Sequence, residues 1–179
     1  ALREHLVLEW NATICDGYEA DDALGMELGI QRDKPCIIAS IDKDLLQIPG
    51  RHYNFVKREI KVVDDFSGWR NFYTQLLVGD ATDNIRGCSG VGPVKAAKAL
   101  GDCKSVEDLY KAVKQEYERV YKDQWFENLN KNAQLLYVWR SENDKWNPPK
   151  LEQDAEVKLL SITKTTSISS EPTTPETVT

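Results

Sequence analysis

The sequence has few of the residues that zinc sites and disulfide frameworks need. Its four cysteines, Cys15, Cys36, Cys88 and Cys103, show no CxxC spacing, and its two histidines, His5 and His52, stand apart from them. A zinc cage is therefore not expected, and free thiols in a reducing cytoplasm are. Long apolar runs are also missing. The stretch at 36–41 is already broken by Ser40, far short of the roughly 18 residues that cross a bilayer, so no membrane span is expected. The first ten residues lack both the basic start and the apolar core of a secretory leader. Positive charge is not in excess: 23 Lys and Arg stand against 29 Asp and Glu in 179 residues, a net charge of -6.

That average hides a concentration. Seven carboxylates fall in three short segments, containing Glu19, Asp21 and Asp22, then Asp42 and Asp44, then Asp80 and Asp83. With those seven set aside the remaining acids and bases nearly balance, so the charge does not exclude a nucleic-acid partner.

Apolar spacing and turn residues divide the chain into elements. Leu2, Leu6 and Leu8 give a weak helical spacing, and residues 12–15 read as a short strand. Ala23, Leu24, Met26, Leu28 and Ile30 support a helix from Ala20, with Glu19, Asp21 and Asp22 at its positive end. Residues 35–40 read as a strand buried on both faces, so strand, helix and strand alternate as in a parallel sheet covered by helices. Residues 52–56 and 59–63 suit a hairpin turning at Lys57 and Arg58. Asp64 or Asp65 then caps a helix carrying Phe66, Trp69, Phe72, Tyr73, Leu76 and Leu77. A glycine-rich turn follows, then a helix ending at Gly101, another capped by Ser105, and a last one over residues 125–139. Trp125, Trp139 and Trp146 are expected to pack in the core rather than to stack on bases. Residues 161–179, rich in Ser, Thr and Pro, are expected to be disordered.

The three acidic segments suit one chemistry. Asp42 and Asp44 lie just past the end of the apolar run, the edge where ligands bind in open parallel sheets. Glu19 and Asp22, like Asp80 and Asp83, are three apart and share a face on a helical turn. So many like charges in one crevice need cations, and all-oxygen ligands favour Mg²⁺ or Mn²⁺. Two ions suit in-line attack on a phosphodiester. Each segment alone also reads as ordinary helix capping or turn structure; their joint occurrence favours a metal site. An EF-hand is excluded, because Leu46 and Gln47 stand where that loop needs an oxygen ligand and a glycine.

Gly87, Gly90 and Gly92 lack the Lys-Ser/Thr ending of a nucleotide P-loop. Their backbone N–H groups, the helix N-terminus at Pro93, and Lys95 and Lys98 could hold a nucleic-acid phosphate, and a plain helix connection fits equally.

Three ordered stretches carry a resemblance. Residues 17–22 (GYEADD), 40–47 (SIDKDLLQ) and 79–92 (GDATDNIRGCSGVG) resemble the 5′ nuclease superfamily, including bacteriophage 5′-3′ exonucleases, flap endonucleases and the nuclease domain of bacterial DNA polymerase I. The resemblance implies a PIN-like α/β domain, its N-terminal part absent here, followed by a helix-three-turn-helix region at 87–100. Domains at 1–78 and 79–150, with a linker and tail at 151–179, follow from that reading. It also implies that Glu19, Asp21 and Asp22 serve one ion, and Asp42, Asp44, Asp80 and Asp83 a second. The partner would be DNA with free 5′ ends or flaps, acted on by a monomer in the cytoplasm of a bacterium or a phage-infected host. The alternative is a DNA-binding module that does not cut.

Overall fold

A computed structural model of the chain describes residues 2–30 and 35–151. The Ser/Thr-rich stretch at 161–179 lies outside the described residues. The chain divides into two units, Ala1–Asn147 and Pro148–Thr179, and all helices, strands and acidic segments considered below belong to the first. No helix among the described residues is long and apolar enough to cross a membrane.

Helix α1 (Leu2–Trp10) buries none of its residues, as its weak spacing foreshadows. Residues 12–15 form no strand. Cys15 is half-buried and the other three are exposed, and with no strand beside them among the described residues, β-forming residues alone cannot make one.

Helix α2 (Ala20–Ile30) forms where its apolar periodicity places it, yet its only buried residue is Gly25. Leu24 and Ile30 point to solvent at 41% and 78% exposure. Leu28 apart, the helix is seated through small residues. A Cβ at Gly25 would lie 2.2 Å from the Trp139 carbonyl oxygen, and one at Gly29 2.7 Å from that of Arg140.

Strand β1 (Ile38–Ala39) is shorter than the apolar run and buries one face, not two: Ile38 is buried while Ile37 and Ala39 are exposed. Among the described residues it stands at the edge of the order β1-β2-β3, and only the face that carries Ile38 is covered. That cover is a small core of Leu45, Ile48 and Val138, with Leu28 against it. β1 runs parallel to β2 (Gly50–Asn54), with Ile38 opposite His52. β2 turns back antiparallel into β3 (Glu59–Val63), from Gly50 opposite Val63 to Asn54 opposite Glu59. The hairpin forms, but β2 ends two residues earlier than expected. Asn54 Oδ1 accepts the Val56 and Lys57 N–H groups, so residues 55–58 make a four-residue turn, with Arg58 in the left-handed region at φ 59°.

The larger core is helical. Asp64 caps α3 (Asp65–Val78) by accepting from the Ser67 N–H, and α3 buries Phe72, Tyr73, Leu76 and Leu77. A short hairpin of β4 (Gly79–Asp80) and β5 (Ile85–Arg86) leads to the glycine-rich turn. Helix α4 (Pro93–Leu100) and helix α5 (Val106–Tyr121) follow, the latter held at its start by a reciprocal Ser105–Asp108 capping box. Helix α6 (Trp125–Leu136) stops before the expected end because Tyr137 turns to extended backbone. Tyr117 ties α5 to α3 by donating to the Leu76 carbonyl oxygen at 2.7 Å. Trp146 is buried against Phe72 and Tyr110, whereas Trp125 and Trp139 are half-buried.

Candidate metal centre

The acidic segments reach one region from separate parts of the fold. Asp42 sits just past β1; its Oδ1 accepts the Asp44 N–H at 2.9 Å, and Ser40 Oγ accepts the Asp42 N–H at 3.0 Å. These local bonds turn the chain into a 3₁₀ helix (Asp44–Gln47). α3 clamps that turn. Asn71 Nδ2 donates to the Leu46 carbonyl at 2.7 Å, and a Cβ on Gly68 would approach the Gln47 carbonyl to 2.5 Å. Asp80 belongs to β4 at the end of α3 and Asp83 to the turn that follows.

Asp44, Asp80 and Asp83 each offer a carboxylate oxygen, and the three oxygens lie within 4.8 Å of one another. Asp80 is buried, with its side chain 1% exposed, and its Oδ2 meets Lys43 Nζ at 2.7 Å. That ammonium holds the Asp80 carboxyl below the usual carboxylate range. Among the described residues no ammonium pairs with Asp44 directly. Burial, then the charges of Asp42 and Asp80, push its carboxyl up to about 6.

Glu19, Asp21 and Asp22 stand at the start of α2. Asp22 is structurally engaged: its Oδ1 accepts the Trp139 N–H at 2.8 Å and its Oδ2 the Glu19 N–H at 3.3 Å. The Glu19 carboxyl is raised, chiefly by Asp21, and the Asp21 carboxyl chiefly by burial. A cavity of about 270 Å³ is lined by Glu19, Asp21, Asp22, Asp44 and Asp83 together, joining the first segment to the others. Asp42 is exposed and lies outside both that lining and the three-carboxylate group.

This arrangement fits divalent cations. The donors are all oxygen, three of them already converge, and Lys43 supplies one positive charge where several carboxylates need neutralising. A pH dependence follows from the raised groups. Below its ordinary value of 3.8, Asp44 is protonated in both folded and unfolded chains. Above about 6 the folded carboxylate must ionise among its neighbours, so stability is lost as pH rises through that range. Asp80 acts in the opposite sense, but only below its ordinary value of 3.8. His52, whose pKa burial holds below its ordinary value, acts oppositely in part of the same range, so the effect is read against Asp44→Asn. In EDTA the melting temperature of the parent relative to that variant is expected to fall from about pH 4 to about pH 7, and Mg²⁺ is expected to raise the parent's more at pH 7 than at pH 5. Scanning fluorimetry at both pH values checks this.

The glycine-rich turn lies beside the same region. A cleft of about 1250 Å³ is lined by Glu19, Asp83, Arg86, Gly87, Gly90 and Lys131, among others. Gly90 takes φ +75°, whereas Gly92 is extended at φ -95°, so any need for glycine at 92 rests on close approach and not on a left-handed backbone. No atom lies within 4 Å of a Cβ placed at Gly92. Lys95 donates from Nζ to the Gly90 carbonyl oxygen at 2.7 Å, and Lys98 is exposed in the last turn of α4. Gly92, Lys95 and Lys98 do not line the cleft. The sequence assigns no site role to Gln47 beyond excluding an EF-hand and none to Gln75; the place of Gln47 at the end of the SIDKDLLQ stretch was the available signal for the first.

Comparison with known proteins gives the likeness that the motifs carry. The chain is 31% identical over 108 residues to the DNA polymerase I of Deinococcus radiodurans, covering 54% of this chain and 11% of that protein. It is 30% identical over 105 residues to a 5′-3′ exonuclease of Mycoplasmopsis pulmonis, covering 52% of this chain and 35% of that one. With a 5′-3′ exonuclease of Halalkalibacterium halodurans it shares 29% identity over 122 residues, covering 59% and 40%. The matched regions thus span between about a tenth and two fifths of these relatives. No family model matches. The crystal structure of the T5 D15 protein co-crystallised with metal ions aligns with a TM-score of 0.57 at 18% identity, covering 73% of this chain and 56% of that one. The α/β fold with flanking helices is shared with that protein.

Proposed function

We propose that the chain is the metal-binding and DNA-binding part of a 5′-3′ exonuclease or flap endonuclease that hydrolyses DNA with two Mg²⁺ or Mn²⁺ ions. The observation that carries this reading is the convergence of Asp44, Asp80 and Asp83 from two distant chain segments onto one point. Similarity to named 5′-3′ exonucleases supports it. Asp44, Asp80 and Asp83, with Asp42 nearby, would hold one ion, and Glu19, Asp21 and Asp22 would hold the other. When bound, the ions stabilise the charge that develops on the phosphodiester. The chain's own part is to fix the carboxylates, with Asp22 anchored on the Trp139 N–H and Asp80 on the Thr82 N–H at 2.7 Å. The cleft between the 83–91 stretch and α6 leads a strand toward the carboxylates, with Arg86 and Lys131 facing its phosphates. The partner is DNA with a free 5′ end or flap, and the protein acts as a monomer in the cytoplasm of a bacterium or phage-infected host.

The test is release of label from 5′-labelled flap and blunt DNA, by the chain alone and by the chain joined to a family-like N-terminal segment. Mg²⁺-dependent release that EDTA abolishes is the expected result. DNA binding without cleavage by either form assigns the non-cutting module instead, and absence of both overturns the reading.

The phosphate role of the glycine-rich turn has its own test. Lys95→Ala is expected to weaken duplex binding similarly across sequences, because a phosphate contact carries no base information. It should lower the log-log salt slope by about one unit, measured by fluorescence anisotropy. Unchanged affinity and slope would leave Lys95 as a brace for the Gly90 carbonyl.

A further inference from the structure

Gln47 is 1% exposed at the end of the 3₁₀ turn that Asp44 begins, so each of its polar atoms needs a protein partner. Two of those partners are backbone groups whose roles are fixed. The Val138 N–H can only donate, and it faces Gln47 Oε1 at 3.5 Å. The Leu136 carbonyl can only accept, and it takes a hydrogen from Gln47 Nε2 at 2.7 Å. The backbone thus decides which end of the Gln47 amide is nitrogen. Its other hydrogen goes to Gln75 Oε1 at 2.6 Å, which decides the next amide in turn. With its oxygen facing inward, Gln75 presents Nε2 outward and donates to Asp44 Oδ1 at 2.5 Å.

Reversing either amide would set oxygen against oxygen or nitrogen against nitrogen, so the chain of bonds has one polarity. It runs from the core backbone at 136–138 through Gln47 and Gln75 to a carboxylate that lies within 4.8 Å of Asp80 and Asp83. The Gln47 backbone is held as well, its carbonyl oxygen accepting from Arg140 Nη2 at 3.1 Å. Gln75 therefore faces Asp44 as a donor.

We propose that Gln75, oriented by Gln47, is a positioning residue that fixes the Asp44 carboxylate for divalent-ion binding. The inference rests on the metal-site reading above and adds to it residues that touch no substrate. Outer partners of metal ligands typically contribute about 10- to 100-fold to affinity. Losing the Gln75 donor is accordingly expected to cost about 10-fold. Gln47 should matter only through Gln75.

Calorimetric titration of Mn²⁺ into the full chain and its variants tests this, with melting temperatures measured in EDTA. Gln75→Met, which keeps length and loses the donor, is expected to bind Mn²⁺ about 10-fold more weakly while remaining folded. Gln47→Met leaves Gln75 free to turn and should also weaken binding. In the double variant the Mn²⁺ affinity should equal that of Gln75→Met alone, a non-additivity that a purely structural role for Gln47 would not produce. Parental affinity for Gln75→Met overturns the proposal, as do additive losses in the double variant. If Gln47→Met fails to fold, the Gln75→Met result decides alone. A parental chain that binds no Mn²⁺ overturns the metal-site reading and this inference together, whereas a parental chain that binds and a Gln75→Met variant that binds equally well overturns only the inference.

Discussion

Asp80→Asn is expected to weaken Mn²⁺ binding by roughly 100-fold or more, beyond the range typical of residues that only support a ligand. In a form that cleaves DNA, it should lower the cleavage rate far more than DNA affinity. Asp80 is the most buried of the seven acids, and its oxygen lies among those of Asp44 and Asp83. Asparagine keeps the Oδ1 that accepts the Thr82 N–H, so the turn survives while the charge is lost. Lys43, 64% exposed, is released to solvent at little cost. Calorimetry with Mn²⁺, alongside a circular dichroism spectrum, measures the effect. Parental affinity in a folded Asp80→Asn variant would remove Asp80 from the ligand set.

The second large effect is on the fold that carries Asp80 and Asp83. Gly79→Ala is expected to lower the melting temperature by about 10 °C. Gly79 ends α3 at φ 79° and ψ -176°, a region that only glycine occupies freely, so any side chain costs about 1–3 kcal/mol in the backbone. The added methyl would also lie 2.3 Å from the Gly87 nitrogen and 2.4 Å from the Ile85 carbonyl oxygen, both of them backbone atoms. Overpacking of that kind adds about 1–3 kcal/mol. A total near 3 kcal/mol corresponds to roughly 10 °C in a domain of this size. Because β4 and β5 pair across this contact, the loss should extend to Mn²⁺ binding. Thermal melts by circular dichroism check the shift, and a melting point within 2 °C of the parent would show that the turn relaxes at little cost.

Much of the local architecture was legible in the residues themselves. Asp64 and Ser105 mark helix starts because a side-chain oxygen next to free backbone N–H groups needs only three residues to act. That β2 and β3 pair as a hairpin follows from the alternation of their residues, whereas the turn, four residues where two were expected, is set by the Asn54 side chain. The order of the acidic segments and of the glycine-rich turn points to the 5′-3′ exonucleases to which the chain is similar, since oxygen-rich spacing is itself a chemical requirement.

What the sequence could not decide depends on groups far apart along the chain. Periodicity assumes that large apolar side chains seat a helix, but α2 is seated by Gly25 and Gly29 against the carbonyls of Trp139 and Arg140, more than 100 positions away. Residues 12–15 have strand-forming residues and no partner strand among the described residues, and a strand is a property of two segments. All seven acids look alike in sequence. Only the folded chain gives Asp80 a lysine, gives Asp44 burial and a glutamine donor, and leaves Asp42 in solvent. Sequence by itself determined which residues carry the oxygen atoms, because that is covalent chemistry. Tertiary structure alone decided which oxygens meet and which stay charged, because Coulomb and desolvation energies depend on distance and burial that no local pattern specifies.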